Sequence, residues 1–473
     1  MEQAPLAVVV PQPSRLWQAL RDSIGGKQYD YTQGSLARAI VLLAVPMVVE
    51  MSFEALFAVV DSYFVAKLGP DAMATVGLTE SVLAVLYAVG MGLAVAGTAT
   101  VARRIGEGNP AAASRTTAQA LWVTLVAAVV LGLLGGLGAR TLLRVLGGSA
   151  GVLSQGGPFT TVMLGGSGVI LLLFVLNGVL RGAGDATSAM KVLLLANVIN
   201  IVLDPCLIQG LGPFPKLGLT GAAVATTIGR GTGVVYQLFL LTRGKGRVAL
   251  RRENARPEGA LMWQLFILSL GGMGQMLLSN ASWTVLARVM SPFGSEALAG
   301  YFIAIRIVVF AILPAWGVSN AASTLVGQNL GAGKPERAEA AVWRTGWINV
   351  AFLSVVAVVF HLFAERLVGF FTDDPTVAPY GVQCLHILSY GYPFFAYGMV
   401  MMQSFNGAGD TLTPTVLNVI CFWLIQTPAA WLLANAAGWG PRGIFAAIAF
   451  SQAMSAVLGV LAFRRGRWKT RRV

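Results

Sequence analysis

The chain has 473 residues, of which 56% are apolar and only 11% charged, and its mean hydropathy is +0.71. An ordinary soluble domain carries about 25% charged residues, so this composition excludes a string of soluble domains and points to a polytopic helical membrane protein. A net charge of +13 would suit nucleic acid, but its placement along the chain, given below, assigns it to topology instead.

Residues 1–35 read as an N-terminal tail. Its "LAVVVPQP" is too short and too Pro-broken for a signal peptide. In "RLWQALRDSIGG", Leu16, Trp17, Leu20 and Ile24 fall near one helical face, as in a short helix lying on a membrane surface; a partly ordered tail is the other reading. A span needs about 20 mostly apolar residues. Twelve such runs follow, near 37–67, 73–102, 113–138, 153–180, 187–208, 219–242, 261–289, 297–327, 338–363, 378–405, 412–436 and 443–463. They divide into a first lobe (36–243), a linker (244–258), a second lobe (259–466) and a basic tail (467–473).

With the N-terminus cytoplasmic, the inside segments hold 24 Lys and Arg and the outside segments 7, while Arg230 and Arg306 lie within spans. By the positive-inside rule both termini are then cytoplasmic, and no nucleic-acid partner is needed. The chain also repeats itself. "RGAGD" at 181–185 returns as "NGAGD" at 406–410, an offset of 225. The same offset maps "GEGNP" at 106–110 onto "GAGKP" at 331–335, and Gly92 onto Gly317. Two six-span halves with an even span number are parallel repeats, related by an axis along the membrane normal. The expected fold is all-α, with twelve transmembrane helices in two lobes around a central cleft.

"LAVPMVVE…VVDSYFVAKLG", "LRGAGD", "NxxxDP" and "PAWGVSNAASTLVGQNLGAGKPERA" resemble the multidrug and toxic compound extrusion family, from about residue 30 to 465. The resemblance implies a V-shaped cleft between two lobes. It also implies export of large amphipathic, often cationic compounds, driven by H⁺ or Na⁺ entry.

The first span holds three acids, Glu50, Glu54 and Asp61. At about 100° per residue they share one helical face. Ionisable residues inside a membrane are functional candidates by default, and three on one stripe suit a proton carrier. Structural ion pairing, for example with Arg230 in span six, is the competing reading of the glutamates. Span five reads "ANVINIVLDP", which places Asn197 and Asn200 within about 40° of Asp204 on the helix wheel. Carboxylate and amide oxygens together suit H⁺ or Na⁺. Glu80 in span two is a further acid near the outer side. The repeat partners of Asp61 and Asp204 are Leu286 and Ala429, so the cation site belongs to the first lobe. The resemblance agrees: it matches a first-helix aspartate to Asp61, a fifth-helix pair to Asn200 and Asp204, and a sixth-helix threonine to Thr226. The second-lobe Glu and Asp that one branch of the family uses are missing here.

Pro46 lies four residues before Glu50. Proline in a helix removes one hydrogen bond and favours a kink, and the resemblance implies a first helix that bends when its aspartate is protonated. Gln275, Asn280, Trp283 and Tyr397 are candidate substrate contacts, with packing inside the second lobe as the alternative. The "GAGD" segments lack phosphate-loop context and read as tight turns that start the next helix. Cys206, Cys384 and Cys421 read as packing residues, and His361 and His386 lie too far apart in sequence to suggest a metal site.

These observations describe a secondary antiporter of a bacterial inner membrane, not an enzyme, acting as a monomer among membrane lipids. It would export small amphipathic, cationic compounds in exchange for H⁺ or Na⁺, with no other cofactor. A lipid-linked precursor flippase of the same architecture is the first rival, and an intramembrane enzyme the second.

Overall fold

The computed structural model describes residues 13–244 and 246–471, and all regular structure among them is helical. A short α1 (Pro13–Gly25) precedes the first lobe: α2 (Leu36–Ala66), α3 (Pro70–Gly106), α4 (Pro110–Val145), α5 (Ala150–Gly165), α6 (Ser167–Gly182), α7 (Ala186–Gln209) and α8 (Leu219–Thr242). The second lobe holds α9 (Gly259–Met290), α10 (Ser295–Gly331), α11 (Pro335–Gly369), α12 (Ala378–Gly407), α13 (Leu412–Asn418), α14 (Thr427–Trp431) and α15 (Pro441–Arg464). Helices α5 and α6 form one span broken at Gly166. Helices α13 and α14 form another, joined by a π-helical stretch over Val419–Gln426. By length and composition, ten spans among the described residues can cross a bilayer. Helices α8 and α12 are less apolar but long enough, at 24 and 30 residues, and complete twelve.

Of the face expected to meet the membrane on α1, Trp17 and Ile24 are exposed and Leu20 is half-buried. The Leu16 side chain and residues 1–12, which include most of "LAVVVPQP", lie outside the described residues. The basic tail is docked rather than loose: Trp468 is buried and stacks on Phe463 with ring centroids 4.6 Å apart. The linker is seated along α4, where Arg115 forms an ion pair with Glu258 and Trp122 donates to the Ala255 carbonyl.

The sequence repeat is carried through to the helix ends. The 225-residue offset maps Pro70 and Gly106 of α3 onto Ser295 and Gly331 of α10, the two ends of that helix. The repeated turns are tight, with Gly184 at φ +86° and Gly409 at φ +81°, a region open mainly to glycine. Asp185 caps α7 by accepting from the Ser188 N–H at 3.0 Å. Its repeat partner Asp410 accepts from the Thr413 hydroxyl at 2.7 Å.

The lobes meet where α3 and α10 end. A Cβ on Gly106 would lie 2.0 Å from the Gln328 carbonyl oxygen, and one on Gly331 would lie 2.2 Å from that of Arg103. Only hydrogen atoms fit there, so the two backbones touch across the pseudo-twofold axis. Arg103 donates to the Arg471 carbonyl at 2.6 Å, and Gln328 to the Gly182 carbonyl at 2.9 Å. Tyr31, just before α2, donates to Gly184 O at 3.1 Å. This end of the molecule is closed. Overpacking a tight contact costs about 1–3 kcal/mol. Gly106→Ala is therefore expected to lower the thermal unfolding midpoint of the purified protein. Gly77→Ala, on the same helix with nothing within 4 Å of its Cβ, is expected to leave it unchanged or raise it.

Candidate functional site

Helix α2 runs unbroken through Pro46. Since proline has no N–H, the Leu42 carbonyl loses its helical donor. The next residue, Met47, is crossed by α10: a Cβ on Gly317 would meet the Met47 carbonyl at 2.7 Å. The first turns of α2 are packed with Ala321, Leu325 and Ala341 of the second lobe. Beyond that crossing, its acid face is turned to a cavity of about 1220 Å³ between the lobes, and Glu50, Glu54 and Asp61 all line it.

The three acids have different surroundings. Glu50 is 1% exposed and faces Arg181 at 3.6 Å. Arg181 belongs to the repeated turn motif that reads from sequence as cytoplasmic, yet its side chain lines the cavity. Glu54 faces Arg230 of α8 at 3.4 Å and accepts from the Asn197 amide at 3.5 Å. Arg230 also lies 5.9 Å from the centroid of the Phe57 ring and 6.0 Å from that of Tyr87, positions in which aromatic faces attract a cation. Both glutamates thus stand in ion pairs, Glu54 with the partner expected and Glu50 with one that sequence reasoning missed. Asp61 makes no hydrogen bond or contact ion pair among the described residues. The charges that act on it are Glu80 and Arg230.

Behind this wall lies a second group. Asp204 is fully buried and Asn200 nearly so. With its amide turned to satisfy both atoms, Asn200 donates to Asp204 Oδ2 at 2.7 Å and accepts from the Thr226 N–H and hydroxyl at 2.9 and 3.0 Å. Asp204 Oδ1 has no hydrogen-bond partner among the described residues. Thr226 also lines the cavity, so it is the polar link between the open space and the buried acid. Asp61 is the charge that acts on Asp204. Carboxylate, amide and hydroxyl oxygens are hard donors of the kind that suit a proton or a small hard cation. Among the described residues no three His, Cys, Asp or Glu stand together as metal ligands.

The rest of the cavity wall is largely apolar, with Phe57, Phe174, Phe310, Trp316, Met91 and Met276 among its members. The four candidate substrate residues are not among them. Gln275 donates to Asn406 Oδ1 at 3.0 Å, Trp283 packs on the second-lobe core, and Tyr397 is held between Trp343 and Trp347. Asn280 accepts through its carbonyl from the Thr284 hydroxyl at 3.3 Å. Periodicity identifies the faces of α9 and α12 but not which face looks into the cleft; the neighbours Met276 and Gln403 do. The three cysteines are free. The two histidines, distant in sequence, are in contact, with ring centroids 4.8 Å apart across α11 and α12.

A family model described as MatE matches residues 46–206 and 273–432, most of both lobes. The chain belongs to the MatE family. Family members are transporters, so this is a multi-pass membrane transporter and not an enzyme. The MatE chain is 28% identical over 440 residues to the probable multidrug resistance protein NorM of Thermotoga maritima, covering 93% of this chain and 94% of that one. It superposes on a crystal structure of MATE in the straight conformation with a TM-score of 0.87 at 26% identity, covering 92% of this chain and 97% of that one. Against MATE in the bent conformation the TM-score is 0.85 at 25% identity, over 94% and 97% of the two chains.

The Glu54–Arg230 pair yields a direct test. Removing one partner of a buried ion pair costs about 3–5 kcal/mol. Glu54 is a third exposed, so Arg230→Met is expected to cost less, roughly 2 kcal/mol. The double change Arg230→Met with Glu54→Gln should recover most of that loss in thermal unfolding of the detergent-purified protein.

Proposed function

We propose that this MatE transporter is an antiporter. It exports amphipathic, cationic compounds in exchange for H⁺ or Na⁺, as a monomer in a bacterial inner membrane with both termini cytoplasmic. The observation that carries the reading is the placement of Asp61. It is an acid without a contact partner in the cavity wall, in front of the buried Asp204–Asn200–Thr226 group. In that topology the closed end is cytoplasmic and the cavity belongs to an outward-facing state. A cation entering from outside neutralises Asp61, and the Asp204 group rearranges around it. The part of α2 beyond Pro46 then moves against the cavity and displaces the bound compound. The apolar and aromatic wall supports an amphipathic cargo, and the multidrug-resistance names of relatives support drug efflux. Four acids line the cavity against three arginines, a balance that favours a cationic head group over a phosphate.

Dye efflux from proteoliposomes, with pH and Na⁺ gradients imposed separately, tests the reading. Asp61→Asn and Asp204→Asn are each expected to abolish gradient-driven efflux while the folded protein is recovered in normal yield. Native rates in both variants would falsify the first-lobe site. Pro46→Ala restores the missing helical donor. It is expected to slow efflux while cation binding, read by isothermal titration, persists; unchanged efflux would remove the bend from the mechanism.

A further inference from the structure

Two charges in the cavity wall have no partner assigned in the site described above: Glu80 on α3, which acts on Asp61 without touching it, and Arg306 on α10. Both side chains are exposed toward the cavity, and neither makes a hydrogen bond or contact ion pair among the described residues. Arg306 is a charge that Glu80 senses across the cavity, and Asp61 is another group coupled to Glu80. Among the described residues Arg306 is also the only charged side chain that the second lobe contributes to the cavity lining.

Their positions are related. The 225-residue repeat carries Glu80 onto Ile305 and Ser81 onto Arg306, so the two opposite charges stand on matching turns of the two axial helices. Those helices touch at Gly106 and Gly331 and flank the cavity at Glu80 and Arg306, about 38 Å further along each at 1.5 Å per residue. The closed end shows what matching turns of α3 and α10 do when they meet. There Arg103 and its repeat partner Gln328 each donate across the lobe boundary, to Arg471 and Gly182.

We propose that Glu80 and Arg306 are a positioning pair for transport: when the lobes rock and the far end closes, the two charges meet across the pseudo-twofold axis as an ion pair that holds the cavity shut on that side. In the open cavity each charge is wetted. Closure expels water, and a lone charge left in the dry interface is costly, whereas an opposite pair compensates itself. The pair thus lets the far end close and resists closure when either member is missing or reversed. This inference rests on the antiport reading proposed above, with the outward-facing cavity closing on that side so that it can open on the other.

The test uses the full-length protein in liposomes. Glu80→Arg and Arg306→Glu each set like charges face to face and are expected to slow gradient-driven dye efflux by roughly tenfold. The reciprocal double variant, Glu80→Arg with Arg306→Glu, should return to within about threefold of the native rate. In a separate arm, the pair Glu80→Cys with Arg306→Cys is treated with a mild oxidant, and mass spectrometry is used to detect a disulfide between the two positions. The expected result is a cross-link that forms and blocks efflux until reduced. A double variant no better than the singles, or no cross-link at any pH or Na⁺ concentration, overturns the proposal. If the native protein moves no dye under either gradient, the antiport reading fails, and the cross-link still decides the pair.

Discussion

A charge carried into a bilayer has to be paired, neutralised or kept wet, and the first lobe is arranged around that constraint. Helix α2 meets it differently at each of its three acids. Glu50, deepest in the protein, is set against Arg181, and Glu54, at the cavity edge, is set against Arg230. Asp61 is half-buried in the cavity wall, with no contact partner among the described residues. Asp204, fully enclosed, is held by an amide and leaves one oxygen without a donor. Glu50 and Glu54 have arginine partners, whereas Asp61 has no contact partner and Asp204 keeps one unpaired oxygen among the described residues, which is the contrast on which the proposed coupling role rests.

The pseudo-twofold axis provides the mechanical frame for this chemistry, and the chemistry breaks its symmetry. Gly106 and Gly331 bring the two axial helices into backbone contact at one end, and Gly92 and Gly317 bring each lobe's second helix against the other lobe's first. The lobes are joined through points where a single methyl group does not fit, which leaves the far ends free to part. Among the described residues, the acids that line the cavity all come from the first lobe. The repeat partner of Asp61, Leu286, is a fully buried member of the second-lobe core, and Ala429, the partner of Asp204, packs against that core. At these two positions the second lobe packs apolar side chains where the first lobe holds carboxylates.

Much of this was legible in the sequence, because hydropathy and a constant repeat offset are set by the bilayer and the axis. The twelve spans and the two lobes follow from these, and the offset extends to both ends of α3 and α10. The shared face of Glu50, Glu54 and Asp61 follows from helical periodicity alone. Partners were harder to read. Arg181 sits in the last turn of α6, three residues before the turn glycine Gly184, where a basic residue reads as topology, and nothing local shows that its side chain folds back to Glu50. The face of α9 and α12 that looks into the cleft was also hidden, since Gln275 and Tyr397 satisfy themselves within their own lobe. The break at Gly166 in the fourth span and the π-helical turns of the eleventh lie inside apolar runs, where hydropathy is silent.

In the antiport mechanism proposed above, the charge state of the Asp61–Asp204 region sets the shape of α2 beyond Pro46. The most direct measurement is the distance between spin labels placed on α2 beyond Pro46 and on α7, followed across a pH titration and a Na⁺ titration of the native protein in liposomes. The account expects the distance distribution to shift as the site takes up its cation, and to stay fixed in Asp61→Asn. A distribution that stays unchanged in the native protein under both titrations, while gradient-driven efflux continues in the same liposomes, would contradict it and leave the acids of α2 as a static wall.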